Sequence, residues 1–325
     1  MVLIISIQGD ISTSEVIEWL VALGKDYVRL DGDNTRTKFL YYDIDKRELM
    51  VKQGGRDINL LARDSVWHRR KGFGLNSLEI NREDLQKEVF LGDHDHGPQM
   101  DEEFQTLVSY LYYSLETDTR LIGNFEKTRL NKLMVLSIAR ECGFAIPTGL
   151  IITSKKQLAA RFEEDSSPVI TKAISEGVYK ISNKYGYYSY TEQLTRKDLD
   201  RLPDTFFPSL IQSEIRKKYE LRVFYLKGEC HAMAIFSQLD KQTTTDFRKY
   251  NHEKPNRTVP YRLPAEVREK LARVFERLSL NTGSADLIVD ENNNYVFLEI
   301  NPVGQFAMTS LPCNFQLEKK IAEIL

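Results

Sequence analysis

The stretch Tyr295-Val-Phe-Leu-Glu-Ile-Asn-Pro-Val-Gly-Gln-Phe306 limits what this chain can become more than any other. Tyr295 to Ile300 is an apolar, aromatic run of buried-strand length. Glu299 and Asn301 interrupt its end. Two residues apart, they face the same way on a strand. Pro302 and Gly304 then stop the strand and turn the chain. Upstream, Ala285-Asp-Leu-Ile-Val289 reads as a partner strand with Asp286 at its start. The polar run Asp290-Glu-Asn-Asn-Asn294 between them makes an antiparallel hairpin. Asp286, Glu299 and Asn301 can therefore converge. All three offer oxygen, with no sulfur or imidazole, which suits Mg²⁺ of the kind that arrives with a nucleotide phosphate. Glu299 as a strand cap and Asn301 as the start of an Asn-Pro turn account equally well for these residues on their own.

With 325 residues the chain has room for two or three domains, and its 42% apolar and 28% charged residues are those of a globular protein. A net charge of −2 gives no general attraction to nucleic acid or to an anionic membrane. Cys142, Cys230 and Cys313 stand far apart, as free thiols in a reducing compartment do. The apolar start Met1 to Ile7 is too short for a signal sequence and reads as a strand. No apolar run is long enough to span a bilayer. A cytoplasmic protein is expected.

Along the chain, Val2 to Ile7, a helix opened by the capping box Ser12-x-x-Glu15, and Tyr27 to Leu30 form a β-α-β start. No GxGxxG follows the first strand, so a dinucleotide site is not indicated. Leu40 to Asp43 and Glu48 to Lys52 read as short strands. Trp67-His-Arg-Arg70 could grip an anion, but pairing within the domain is the simpler role. Asp93-His-Asp-His96, between Gly92 and Gly97-Pro98, reads as a solvated loop rather than a metal cluster. Glu102 to Leu115 has helical periodicity. The polar stretch 116–119 marks the first boundary, giving a small α/β domain over 1–118. A long helix from Phe125 to Cys142 follows. Ser154-x-x-Gln157 is a further capping box. Val178 to Ile181 and Tyr187 to Thr191 pair as an aromatic hairpin, either core packing or a peptide-contacting surface. The division continues as 119–206 and 207–325.

Phosphates on the metal would need cations on rigid elements. The chain supplies, in order, Lys132, Lys172 at a strand end, Arg222 two residues after Glu220, and Arg248 in Asp246-Phe-Arg248. Each alone reads as a surface charge. The order lysine, lysine, Glu-x-Arg, Asp-Phe-Arg, Asp, then Glu-x-Asn resembles the ATP-grasp fold. Three stretches sharpen it: Ser237-Gln-Leu-Asp-x-x-Thr-x-x-Asp-Phe-Arg248, Pro260-Tyr-Arg-Leu-Pro264 and Leu298-Glu-Ile-Asn-Pro-Val-Gly-Gln-Phe306. These are similar to the peptide-maturing ATP-grasp ligases, namely the microviridin-type macrocyclases and, most closely, the grasp-with-spasm maturases of graspetides. The resemblance covers essentially the whole chain, Trp67 to Arg70 included.

The resemblance implies an α+β architecture: two ATP-grasp domains clasping ATP, preceded by a small α/β domain. It implies that Lys132 and Lys172 contact the α- and β-phosphates. Gln212 to Ile215 would form the hinge strand, with the Glu214 carbonyl and Ile215 N–H on adenine and Glu220 on ribose. Arg222 and Arg248 would face the γ-phosphate and an acyl phosphate, and Asp286, Glu299 and Asn301 would hold Mg²⁺. Asp246 is the candidate general base. One departure is that only Gly177 stands in the loop after Lys172, where many relatives have a Gly-rich phosphate loop. The implied activity joins Asp or Glu side chains of a ribosomal precursor peptide to Thr or Ser hydroxyls, or Lys amines, of the same peptide. The hairpin around Tyr187 and Tyr188 would dock the precursor's leader, and a homodimer is implied. A ligase adding a free amino acid to a protein or small acid, and a non-catalytic ATP-binding regulator, are the alternatives.

Overall fold

The computed structural model describes residues 1–33, 36–70, 72–73, 97–117, 120–164, 167–175, 177, 179–181, 186–188, 190–238 and 255–325. They form two compact units, residues 1–128 with 316–325, and residues 129–315.

The first unit is built on a parallel sheet of order β2-β1-β6-β7. Its strands are β1 (Val2–Ser6), β2 (Tyr27–Asp31), β6 (Ser65–His68) and β7 (Arg120–Ile122). β1 is buried throughout, as a central parallel strand must be. Helix α1 (Ile11–Ala22) starts one residue before the expected capping box, with Asp10 as N-cap. The Asp10 carboxylate accepts from Thr13 Oγ1 at 2.7 Å and pairs with Arg69 at 3.2 Å. Arg69 is buried in that pair, so it serves the domain's own packing. An antiparallel sheet follows from β3 (Thr37–Asp43), β4 (Glu48–Gln53) and β5 (Arg56–Asn59). α2 (Gly97–Glu116) adds Val108, Leu111 and Leu115 to a core with Leu3, Ile5 and Val66. The C-terminal helix Leu317–Ile324 belongs to this unit, where it packs on α1. Asp93 to His96 lies outside the described residues.

The second unit opens with α3 (Lys132–Glu141), which begins later than the expected Phe125. Asn131 stops it there: its Oδ1 accepts from the Leu133 and Met134 N–H groups at 3.0 and 3.2 Å. Lys132 is thus the first residue of the helix. An antiparallel sheet of order β12-β9-β13-β8 comes next. It holds β8 (Gly149–Ser154), β9 (Val169–Lys172), β12 (Glu192–Leu194) and β13 (Thr205–Ser213). Helix α4 (Lys155–Glu164) opens on the expected box: Gln157 N–H reaches Ser154 Oγ at 3.3 Å, and Ser154 N–H reaches Gln157 Oε1 at 3.1 Å. β10 (Tyr179–Ile181) and β11 (Gly186–Tyr188) pair antiparallel as the expected hairpin. α5 (Arg196–Leu199) is short.

A five-stranded antiparallel sheet of order β16-β15-β14-β17-β18 completes the unit. Its strands are β14 (Lys217–Leu226), β15 (Glu229–Phe236), β16 (Arg257–Tyr261), β17 (Thr282–Asp290) and β18 (Tyr295–Asn301). α3 and α6 (Ala265–Arg277) cover one face, burying Val135, Leu271, Val274 and Phe275 against Leu221, Val223, Leu287 and Phe297. Each such side chain contributes about 1.5–3 kcal/mol by leaving water. α7 (Ala307–Cys313) follows the sheet. This mixed architecture is the α+β class expected. No helix among the described residues is long and apolar enough to cross a membrane.

Candidate active site

Strand alternation sorts β14 into two faces. Leu221, Val223 and Tyr225 enter the core. Glu220, Arg222 and Phe224 take the other face, and there the charge collects. Register sets Arg222 beside Asp286, and Asp286 beside Glu299, across three adjacent strands. Arg222 Nη1 donates to both Asp286 oxygens, at 2.8 and 2.7 Å. Lys132 Nζ pairs with Glu299 Oε2 at 3.0 Å. Asn301 stands opposite Ser284, two residues before Asp286 on β17. Its Oδ1 accepts from the Val303 N–H at 3.0 Å. Asp286 sits inside β17 rather than at its start, because that strand begins at Thr282.

The turn after Asn301 needs glycine. Gly304 has φ of +59°, and a Cβ there would lie 2.9 Å from Phe224 Cε2 and 3.1 Å from Gly283 Cα. Phe224 in turn packs on Phe306. The strand end that carries Glu299 and Asn301 is therefore clamped by the residues that follow it.

Glu220 is buried, and burial pushes its carboxyl up, while Lys217 and Ser237 pull it down. Its Oε1 accepts from Lys217 Nζ at 2.5 Å and from Ser237 Oγ at 2.9 Å. Lys217 escaped the sequence reading: three residues from Glu220, it should point the opposite way on a regular strand. A register shift between Lys217 and Tyr219 brings it round.

On the smaller sheet, Lys172 is level with Leu210, and Gln212 with Ile170 and Gly149, so Lys172 and Gln212 share a face. Gln212 is buried, and its Oε1 has no hydrogen-bond partner among the described residues. The Glu214 N–H donates to the Pro168 carbonyl at 2.7 Å, and its Oε2 accepts from Gln193 Nε2 at 3.1 Å. Ile215 follows β13 in the connection to β14. Asp246 and Arg248 lie outside the described residues.

No group of three or more His, Cys, Asp and Glu side chains gathers among the described residues. The oxygen set of Asp286, Glu299 and the Asn301 amide nevertheless fits a hard divalent cation by its chemistry. Arg222 and Lys132 balance the two carboxylates.

No protein-family model matches the sequence, and no curated protein matches it. Among solved structures, the macrocyclase MdnC of Microcystis aeruginosa MRC, bound with precursor peptide MdnA, is 27% identical, with a TM-score of 0.73. The match covers 100% of this chain and 98% of MdnC. The chain has the ATP-grasp fold. A RiPP-associated ATP-grasp ligase of Chryseobacterium gregarium, in complex with ADP and a leader and core peptide, superposes with a TM-score of 0.79 at 23% identity. That match covers 100% of this chain and 96% of that one. The ATP-grasp ligase PsnB, complexed with a precursor variant, Mg and ADP, gives 0.70 at 17%, over 99% of this chain and 96% of PsnB. At those lower identities the likeness is one of fold. The resemblance to peptide-maturing ATP-grasp ligases extends over the whole chain, as the motifs implied.

Proposed function

We propose that this chain is an ATP-dependent ligase, a macrocyclase acting on a ribosomal precursor peptide. The charged row Arg222–Asp286–Glu299 on the sheet face opposite the core, met by Lys132 from the start of α3, carries the reading. The peptide substrate is argued from the full-length similarity to MdnC.

A side-chain carboxylate oxygen of the peptide attacks the γ-phosphorus of ATP, the bond to the β-phosphate oxygen breaks, and ADP leaves. A Thr or Ser hydroxyl, or a Lys amine, of the same peptide then attacks the acyl carbon. Phosphate departs, and the attacking group's proton passes to Asp246 or to the leaving phosphate. An ester or amide ring results. Lys132 and Lys172 neutralise the α- and β-phosphates, and Arg222 and Arg248 take up charge on the transferring group. The Glu214 carbonyl and Ile215 N–H hold adenine, beside Gln212, and Glu220 accepts from ribose. Asp286, Glu299 and Asn301 would hold Mg²⁺, which when bound supplies charge neutralisation between phosphate oxygens. Keeping both reacting groups on one peptide raises their effective concentration and favours the ring over hydrolysis.

In this reading the chain has three parts, 1–118, 119–206 and 207–325, and works as a cytoplasmic homodimer. The β10–β11 hairpin docks the leader. Tyr187→Ala and Tyr188→Ala then raise KM for the full precursor, and unchanged KM in both discards that docking site. Hydroxylamine tests the chemistry. Added to a reaction of ligase, ATP, Mg²⁺ and an acidic, Thr-containing precursor, it should divert the acyl phosphate to a peptide hydroxamate. ADP formation without any hydroxamate or ring would refute the acyl-phosphate route.

A further inference from the structure

Lys217 and Glu220 are three apart on β14, and a regular strand would send them to opposite faces. The register of β14 against β17 slips between Lys217 and Tyr219, and this bulge turns Lys217 onto the face of Glu220. Both side chains are buried there, with exposures of 6% and 11%. Lys217 Nζ donates to Glu220 Oε1 at 2.5 Å. Ser237, which follows β15, donates its Oγ to the same oxygen at 2.9 Å. Gln238 Nε2 fixes the Lys217 carbonyl at 3.1 Å. Both hydrogen bonds to Glu220 therefore fall on Oε1. Oε2 receives none from the described residues.

A buried ion pair made by a bulge is a costly arrangement for packing alone, since apolar residues would serve as well. Its effect is to hold one carboxylate oxygen and leave the other to a donor from outside the protein. We infer that Lys217 and Ser237 are positioning residues that fix the Glu220 carboxylate through Oε1 and so present Oε2 to the ribose hydroxyls of the nucleotide. This rests on the ATP-site reading above. It also gives the Ser237-Gln238 pair, part of the motif that marked the family, a definite task.

The charges facing Glu220 set what Lys217 contributes. Asp286 on β17 and burial both favour the protonated acid, and Lys217 and Ser237 oppose them. Arg222, two residues along the same strand face, is engaged with Asp286. Without Lys217, the balance at Glu220 would shift further toward the protonated acid. A protonated carboxyl accepts more weakly from a sugar hydroxyl.

The test compares ADP with 2′,3′-dideoxy-ADP by calorimetry on the full chain in Mg²⁺ buffer. The wild type should bind ADP at least tenfold more tightly than the dideoxy analogue. Lys217→Met should weaken ADP about tenfold, leave the analogue within twofold, and make ADP affinity fall more steeply with falling pH than it does in the wild type. Ser237→Ala should move the same ratio less, and Lys217→Arg should recover most of it. If Lys217→Met and Ser237→Ala both leave the ADP-to-analogue ratio at its wild-type value, or weaken both nucleotides alike, the positioning role is refuted while the ATP site stands. If the wild type binds ADP and the analogue equally, Glu220 does not read ribose and the inference falls. Absence of ADP binding by the folded wild type would overturn the ATP-site reading itself.

Discussion

The Arg222–Asp286 pair concentrates the site's risk. Both side chains are largely buried, at 7% and 15% exposure, and the bonds are 2.8 and 2.7 Å. Removing one partner strands a charge, which costs about 3–5 kcal/mol. Arg222→Met should lower the unfolding free energy by that amount and abolish ADP formation. Asp286→Asn, which keeps a hydrogen-bonding oxygen, should retain more stability than Arg222→Met but lose turnover. Denaturant titration beside an ADP assay separates the two effects. A second residue-scale prediction concerns His68. Burial holds its imidazole down at about 4, against an ordinary 6.5, and its Nδ1–H donates to the Asn124 carbonyl at 2.9 Å. Between those values the unfolded chain binds a proton that the folded chain refuses. Stability is therefore full above about pH 6.5 and is lost toward pH 4, by up to about 3 kcal/mol. His68→Gln should flatten this part of the stability–pH curve; a wild-type curve already flat there would contradict the assignment. The oxygens of Asp286, Glu299 and Asn301 could be read from sequence, because period-two spacing and a polar turn define a hairpin. Lys217 could not, because no local rule announces a bulge.

Elements were legible where their ends carry their own chemistry. The Ser154/Gln157 box formed as spaced. The one at Ser12 did not, because Asp10 occupies the N-cap and is tied to Arg69, a residue 59 positions away. The helix expected from Phe125 starts instead at Lys132, since Asn131 offers a cap that periodicity alone does not weigh. That cap also sets where Lys132 leaves the helix to meet Glu299. Asn131→Ala should cost about 1 kcal/mol of stability and weaken nucleotide binding further than stability explains. Equal losses in both, measured by thermal shift with and without ADP, would confine Asn131 to a structural role. Gly304→Ala should destabilise by at least about 1–3 kcal/mol, because a positive φ and contacts of 2.9–3.1 Å leave no place for a methyl group.

For the whole molecule, the alternation of short strands and capped helices was enough to read an α+β chain. Which core each element joins was not. The last helix shows this. Its amphipathic spacing declares a buried face, but only the tertiary fold places Leu317, Ile321 and Leu325 in the first unit, together with the Ser65 Oγ to Leu325 carbonyl bond at 2.6 Å. Those three side chains contribute about 6 kcal/mol by burial, comparable with the whole stability of many domains. A chain ended at Phe315 should become protease-sensitive across residues 1–128 and stay resistant over 129–315. The reverse pattern would contradict this division. Ring closure on a peptide by this chain is read out by intact mass. The protein, ATP and Mg²⁺ are incubated with an acidic, Thr-containing precursor and the peptide is weighed. Successive losses of one water, about 18 Da each, absent with Glu299→Ala, are the predicted result. A gain equal to an added amino acid, or an unchanged mass while ADP accumulates, would contradict it.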